Sequence, residues 1–385
     1  MTAVTWQPTR PNDLEIATGT MLGWEDATEV PRQGPAESVR QALEAVVLPS
    51  LQNPPCVVSF SGGRDSSALL ALAAAIARRE GLPPPVPATL TFPDVPESDE
   101  REWQEIVILH IGLDDWERLT CGAEMDAIGP RARRVLAAHG VLFPANAYLQ
   151  EPILHLAHGG SLLIGAGGDE VLDSPALPLL RAARGYERPT WRGLRRTASA
   201  VGPGRRKRLG QAPIAGETWL TPAARKEAAD RGGQSQARLG LRWDRALHRW
   251  TRDRYYLACC DTLRLLGLDH QVGVTAPFLH PRVLSALSSA GGWSGFRSRS
   301  EALAIFVGDL LPAAVMERRS KATFSRGLRG PYTEQFLAEW TGLGVNPSLV
   351  DPEALRLVWA QAAPDFRSTL LLQQAALSSF ASVRH

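Results

Sequence analysis

Two short segments of this chain combine small residues with acids in patterns suited to holding a phosphorylated ligand. The first, residues 57–67, reads Val-Val-Ser-Phe-Ser-Gly-Gly-Arg-Asp-Ser-Ser. An apolar run, Cys56 to Phe60, is predicted as a buried strand, and strong helix formers follow Asp65. A strand that turns through serine and glycine into a helix N-terminus makes an anion site. Its free backbone N–H groups point at the ligand, the helix dipole favours negative charge, and the glycines let phosphate approach the backbone. Ser59, Ser61, Gly62, Gly63, Asp65, Ser66 and Ser67 are the candidate contacts. A Walker-type loop is excluded, because Gly-x-x-x-x-Gly-Lys-Ser/Thr needs a lysine and this segment has none.

The second segment is Gly165-Ala166-Gly167-Gly168-Asp169-Glu170, directly after an apolar stretch ending at Ile164. Gly165, Gly167 and Gly168 let the backbone fold close to a ligand, and Asp169 is expected to face the same crevice as Asp65. Mg²⁺ is usually held by one or two carboxylates together with substrate phosphates and water. Asp65 and Asp169, on separate loops flanking a phosphate cradle, fit that description as metal ligands. The cations are also informative. The chain uses arginine freely but keeps only three lysines, Lys207, Lys226 and Lys321. Lysine is a compact, movable point charge where arginine is a fixed fork, so a retained lysine can mark a chemical requirement.

The elements that must position these residues are legible in outline. The first helix is predicted to end near Glu80-Gly81, and a Pro-rich turn leads to a second strand, Ala88 to Phe92. Ser98 is predicted to cap a helix with Trp103, Ile106, Val107, His110 and Ile111 on one face, ended by Gly112. A third strand is expected at Trp116 to Leu119, helices near residues 131–139 and 147–158, and a further strand at Ser161 to Ile164. Strand–helix alternation of this kind predicts an α/β fold with a parallel sheet and helices on both faces. Ligands in such sheets sit beyond the carboxyl ends of the strands, so both glycine-rich loops should share one edge.

Composition narrows the class. Hydrophobic residues at 44% and charged residues at 21% of 385 fit a globular chain with ample core. No apolar run reaches 18 residues and no secretory signal opens the chain, so neither a membrane span nor export is expected. Cys56, Cys121, Cys259 and Cys260 show no zinc spacing, and four scattered thiols fit a reducing cytoplasm. Between Arg181 and Arg208 lie ten basic residues and one acid, Glu187, with Trp191 among them. This stretch reads either as a patch for RNA, a carrier, an acidic peptide or polyphosphate, or as a solvated insertion.

The first segment resembles the pyrophosphate loop (PP-loop), Ser-Gly-Gly-x-Asp-Ser, of ATP pyrophosphatases, which split ATP into AMP and pyrophosphate. With the second segment added, the chain resembles the synthetase domain of asparagine synthetases and their relatives, the β-lactam synthetases and lasso peptide cyclases. Further matches run in order: Phe92 then Asp99-Glu100; Ala276-Pro277-Phe278-Leu279; and Arg319-x-Lys321-x-x-Phe324-Ser325-x-Gly327. The resemblance implies a Rossmann-like PP-loop domain over residues 38–330, carrying a basic insertion near 181–210. A 37-residue extension precedes it and a helical segment, 331–385, follows. It also implies ATP over Ser61 to Ser67 and near Phe92, Mg²⁺ at Asp65 and Asp169, and catalytic roles for Asp169 and Lys321. Lys321 would meet the α-phosphate or a later oxyanion.

The implied reaction is ATP-dependent amide formation: a small-molecule or peptide carboxylate is adenylated, then attacked by an amine. A carrier, precursor peptide or other partner protein could present these substrates, and neither nucleic acid nor membrane is expected as a partner. The alternatives are an RNA-modifying ATP pyrophosphatase and a nucleotide-binding subunit without turnover. Departures from the family pattern shape the expectation. No glutaminase domain fits the 37 residues before residue 38, so glutamine is not the expected nitrogen source. Ala166 stands where relatives carry a glutamate or a tyrosine, and His280 where they carry aspartate. Arg64 replaces an aliphatic residue and either contacts phosphate or faces solvent. Together these point away from plain asparagine synthesis and towards specialised, natural-product chemistry.

Overall fold

The computed structural model describes residues 6–25, 37–172, 190–191, 216–318, 328–361 and 363–382. Its centre is a five-stranded sheet: β1 (Cys56–Ser59), β2 (Val86–Thr91), β3 (Glu117–Thr120), β4 (Ser161–Ile164) and β5 (Gly273–Thr275). The order is β3-β2-β1-β4-β5, and every pairing is parallel. Successive strands are added outward on one side of β1 up to β3 and on the other side from β4, and this switch leaves a crevice at the carboxyl ends of β1 and β4.

The two-residue period of β1 explains why the sheet is covered twice. Cys56 and Val58 enter one core with the helices Val39–Leu51 and Arg64–Glu80, joined from β4 by Leu163. Val57 and Leu162 enter the opposite core with Leu266 and Val272. Central parallel strands buried on both faces carry continuous apolar runs, as these do. The Ala- and Leu-rich helix Arg64–Glu80 ends where Gly81 takes a left-handed conformation, φ 65°.

A third core joins the C-terminal helices Pro331–Glu339, Pro352–Trp359 and Thr369–Ser382 to the end of β2. It holds Phe92, Trp219 and Trp359. Buried Gln373 ties the last helix to the body, donating to the carbonyls of Ala127 and Ala145 at 3.1 and 2.9 Å. Fully buried Asp126 does the same for Pro331–Glu339, accepting from the backbone N–H groups of Gly330 and Thr333 at 2.8 Å each.

Local expectations need three corrections. Ser98 does not cap a helix: its hydroxyl donates to the Val95 carbonyl at 2.7 Å inside the short turn Pro96–Ser98. The helix begins at Arg101, whose N–H is met by the Asp99 carboxylate at 2.9 Å. On that helix Val107 and Gln104 are buried while Ile106 is exposed, because the inward stripe follows i, i+3 from 104. The segment 147–158 divides into a tight turn, Ala147–Gln150, and a helix, Glu151–Leu156, because Pro152 starts a new helix rather than continuing one.

Candidate active site

The first loop leaves β1 beside β2, and Phe60 N–H donates to the Ala88 carbonyl at 2.8 Å. Gly62 turns the chain at φ 81°, a region where a side chain is strained, and a Cβ there would also lie 2.7 Å from Gln104 Cγ. Gly63 stands at the N-cap of Arg64–Glu80 and supplies no side-chain cap, so the first-turn N–H groups are left for an anion. Hydroxyls brace the loop internally. Ser61 and Ser66 Oγ atoms are 3.1 Å apart, Ser66 Oγ donates to the Gly63 carbonyl at 3.0 Å, and Gly63 N–H donates to Ser61 Oγ at 3.3 Å.

Two residues not singled out from sequence hold this loop from behind. Gln104 Nε2 donates to the Ser61 carbonyl at 3.1 Å, and Arg318 Nη1 donates to the Gly62 carbonyl at 3.0 Å. Arg318 is itself buried, ion-paired to buried Glu100 and placed 4.8 Å over the Trp103 ring. A polar Gln104 on an otherwise apolar helix stripe was the available signal. Nothing local marked Arg318.

The second loop leaves β4, whose Ile164 is in register with Ser59 of β1, so the two loops lie side by side. Gly168 comes so close to Asp65 that a Cβ would sit 2.2 Å from its Oδ2, which only glycine permits. The Ala276-Pro277-Phe278-Leu279 motif seats this loop: Leu279 packs against Gly167, and Tyr256 Oη donates to the Leu279 carbonyl at 2.7 Å. His280 then caps the helix Pro281–Gly291, its Nδ1 accepting from Arg282 N–H at 3.2 Å. Burial, helped by the Arg282 charge, lowers its pKa. A neutral imidazole thus performs the N-cap task that an aspartate performs well.

Asp65 and Asp169 converge, and the group they converge on is Arg299. Its guanidinium donates Nε to Asp65 Oδ1 at 3.1 Å, Nη2 to Asp65 Oδ2 and Nη1 to Asp169 Oδ1. Arg299 is 8% exposed. Burial pushes the Asp65 carboxyl up to about 6 against the pull of Arg299, and the Asp169 charge adds to the rise. The paired carboxylates therefore share one cation position. Two hard oxygen ligands at that position suit Mg²⁺, which takes its remaining ligands from phosphates and water. Arg299 was not singled out from sequence. The capping pattern Ser298-x-x-Glu301, with Glu301 N–H donating to Ser298 Oγ at 3.2 Å, places it in a helix first turn. The dipole disfavours a cation there, so such an arginine needs acids nearby.

The other candidates are placed as follows. Ser59 Oγ donates to Gln150 Oε1 at 3.2 Å. Ser67 is fully buried, and its hydroxyl meets no partner among the described residues. Gly165 packs on the first loop, where a Cβ would lie 3.3 Å from Ser66 N. Phe92 lines a cavity of about 570 Å³ at the ends of β2 and β3, with Cys121, Leu328, Trp359 and Phe366. Ala166 packs against the core, and Glu170 beyond it accepts from Tyr255 Oη at 2.8 Å. Cys259 and Cys260 are unreactive by environment, since burial pushes Cys260 up to about 12 and raises Cys259 as well. Lys321 and most of the 181–208 basic stretch lie outside the described residues. No helix among the described residues is long and apolar enough to cross a membrane.

No curated protein matches the chain at a significant level. Residues 38–379 match the family model described as Asparagine synthase, which carries ATP-dependent, amide-forming ligase chemistry. That span takes in the sheet, both glycine-rich loops, Arg299 and the C-terminal helices, and this chain belongs to the asparagine synthase family.

Proposed function

We propose that this protein is an ATP-dependent synthetase or cyclase that adenylates a substrate carboxylate, releasing pyrophosphate, and passes the acyl group to an amine. The observation that carries this reading is the convergence of two glycine-rich loops at the carboxyl edge of β1 and β4, with Asp65 and Asp169 on one cation position. The uncapped helix start at Gly63 suits a triphosphate, and Gln104 and Arg318 keep the loop carbonyls turned inward. Fixed donors of this kind stabilise charge as it develops on phosphate oxygens. Asp65 and Asp169 would hold Mg²⁺, which supplies charge neutralisation between the phosphates. Arg299, which now holds that cation position, would be released from those carboxylates when the metal binds.

Ala166 cannot move a proton, so the attacking amine loses its proton to another group or arrives neutral. That departure supports a substrate other than aspartate and a place in specialised, natural-product or peptide biosynthesis. Carboxylate and amine substrates presented by a carrier, a precursor peptide or a partner protein fit this reading. The test is the nucleotide product. Purified protein with Mg²⁺, ATP and a panel of carboxylic acids should yield AMP and pyrophosphate for at least one acid. ADP and phosphate as the products would refute the proposal.

A further inference from the structure

A second cavity, of about 250 Å³, shares no lining residue with the one that Phe92 lines. It is lined by Glu170 and Asp253, by the rings of Trp250 and Tyr255, and by Ser235 and Gln236, and its described lining contains no lysine or arginine. Asp253 is 7% exposed. Its Oδ1 accepts from Tyr255 N–H at 2.9 Å. The neighbouring Arg254 pairs with Glu15 and Glu25, and its charge offsets only part of the rise in the Asp253 pKa. Burial, with the Glu15 charge, pushes the Asp253 carboxyl up to about 6. Trp250 and Tyr255 stand 6.4 Å apart, centroid to centroid, and present π faces and edges beside this charge.

We propose that this cavity is the amine site: it binds a compact primary amine in its cationic form, between the Asp253 and Glu170 carboxylates and the Trp250 and Tyr255 rings. The inference rests on the adenylating reading for the role of that amine. Of the three reactants, ATP and the carboxylate are anions and are repelled by two acids, whereas an ammonium is held by both the acids and the rings. The volume is below the usual range for drug-sized ligands, which suits an amine of amino-acid size. Glu170 follows Asp169 directly in the chain, so the cavity lining begins one residue from the acid of the second loop. The cavity also offers what Ala166 lacks, a polar environment for the nucleophile.

Calorimetry with benzylamine, and with benzyl alcohol and benzoate as isosteric controls, tests the proposal on the full chain at neutral pH. Benzylamine should bind at least about tenfold tighter than either control, the scale of one hydrogen bond to a charged group. Asp253→Asn and Glu170→Gln should each weaken it by about tenfold or more. Asparagine caps a helix as well as aspartate, so the Asp253 variant retains the start of the helix Arg254–His270. Alcohol or benzoate binding as well as the amine would overturn the proposal, as would wild-type amine affinity in both variants. ATP–pyrophosphate exchange by the wild-type protein separates the two claims. Exchange without amine preference defeats the cavity assignment alone, and amine binding without any nucleotide cleavage defeats the adenylating role alone.

Discussion

Replacing Arg318 with methionine should separate the stability of the fold from the competence of its phosphate loop. Among the described residues Arg318 meets Glu100 in an ion pair, the Gly62 carbonyl at 3.0 Å, and the Trp103 ring in a cation–π contact at 4.8 Å. Both members of the ion pair are buried, at 6% and 7% exposure. Removing one partner of such a pair strands the other charge and costs about 3–5 kcal/mol. The urea slope grows with protein size beyond the small-protein range, so for a slope of about 4 kcal/mol/M the unfolding midpoint should fall by about 1 M. Glu100→Met with Arg318→Met removes both charges, and most of that loss should return, since an apolar pair of similar volume is often neutral. Nucleotide binding should not return, because the bond to the Gly62 carbonyl is absent from single and double variants alike. We expect Kd for ATP to rise about tenfold in both, the scale of one charge-assisted hydrogen bond. Urea denaturation beside calorimetric ATP titration reads the two effects independently. Wild-type stability in Arg318→Met, or wild-type ATP affinity in the double variant, would refute this account of the loop.

Asp65→Asn and Asp169→Asn should each lower Mg·ATP-dependent pyrophosphate release by at least about a hundredfold with an unchanged far-UV circular dichroism spectrum, because each removes a hard anionic ligand; near wild-type release by either would sink the metal assignment. Lys321→Arg should bind Mg·ATP normally yet lose at least about a hundredfold in AMP formation, since a fixed fork cannot follow charge that moves from phosphate to oxyanion; unchanged turnover would mark Lys321 as a surface residue. His280 has a pKa lowered below 6.5, so its neutral form is the one the fold favours. Its cap therefore stabilises fully above 6.5 and is lost as pH falls through the lowered value. Tm of the wild type and His280→Asp should run parallel above neutrality, and the variant should gain as the pH falls; a constant difference would remove the titrating cap.

What the sequence shows of this protein is what its chemistry makes local. Glycine, serine and acid spacing marked both loops, since the close approach at Gly168 and the turn at Gly62 leave a one-residue signature. Apolar runs with helices between them marked the parallel sheet. The groups that complete the site are distant in the chain: Arg299 meets Asp65 across 234 positions, and Arg318 meets Gly62 across 256. The first-turn position of Arg299 hints at acids nearby without naming them, and Arg318, just past the helix Ala313–Glu317, gives no local hint of a partner. Ser98 was misread because a serine before a helix can cap it or turn its hydroxyl into a preceding turn, and Pro96 selects the turn. The amine cavity was invisible for a related reason. It draws Glu170, Ser235 and Asp253 from three elements, and only packing brings them together.

ATP–pyrophosphate exchange most directly tests whether these loops activate a carboxylate. The protein is incubated with Mg²⁺, ATP, labelled pyrophosphate and single members of a carboxylic-acid panel, with no amine present. Label should enter ATP only when a cognate acid is supplied, and Asp169→Asn should abolish it. Exchange independent of any acid, or cleavage of ATP to ADP with the same acid, would contradict adenylation at this site.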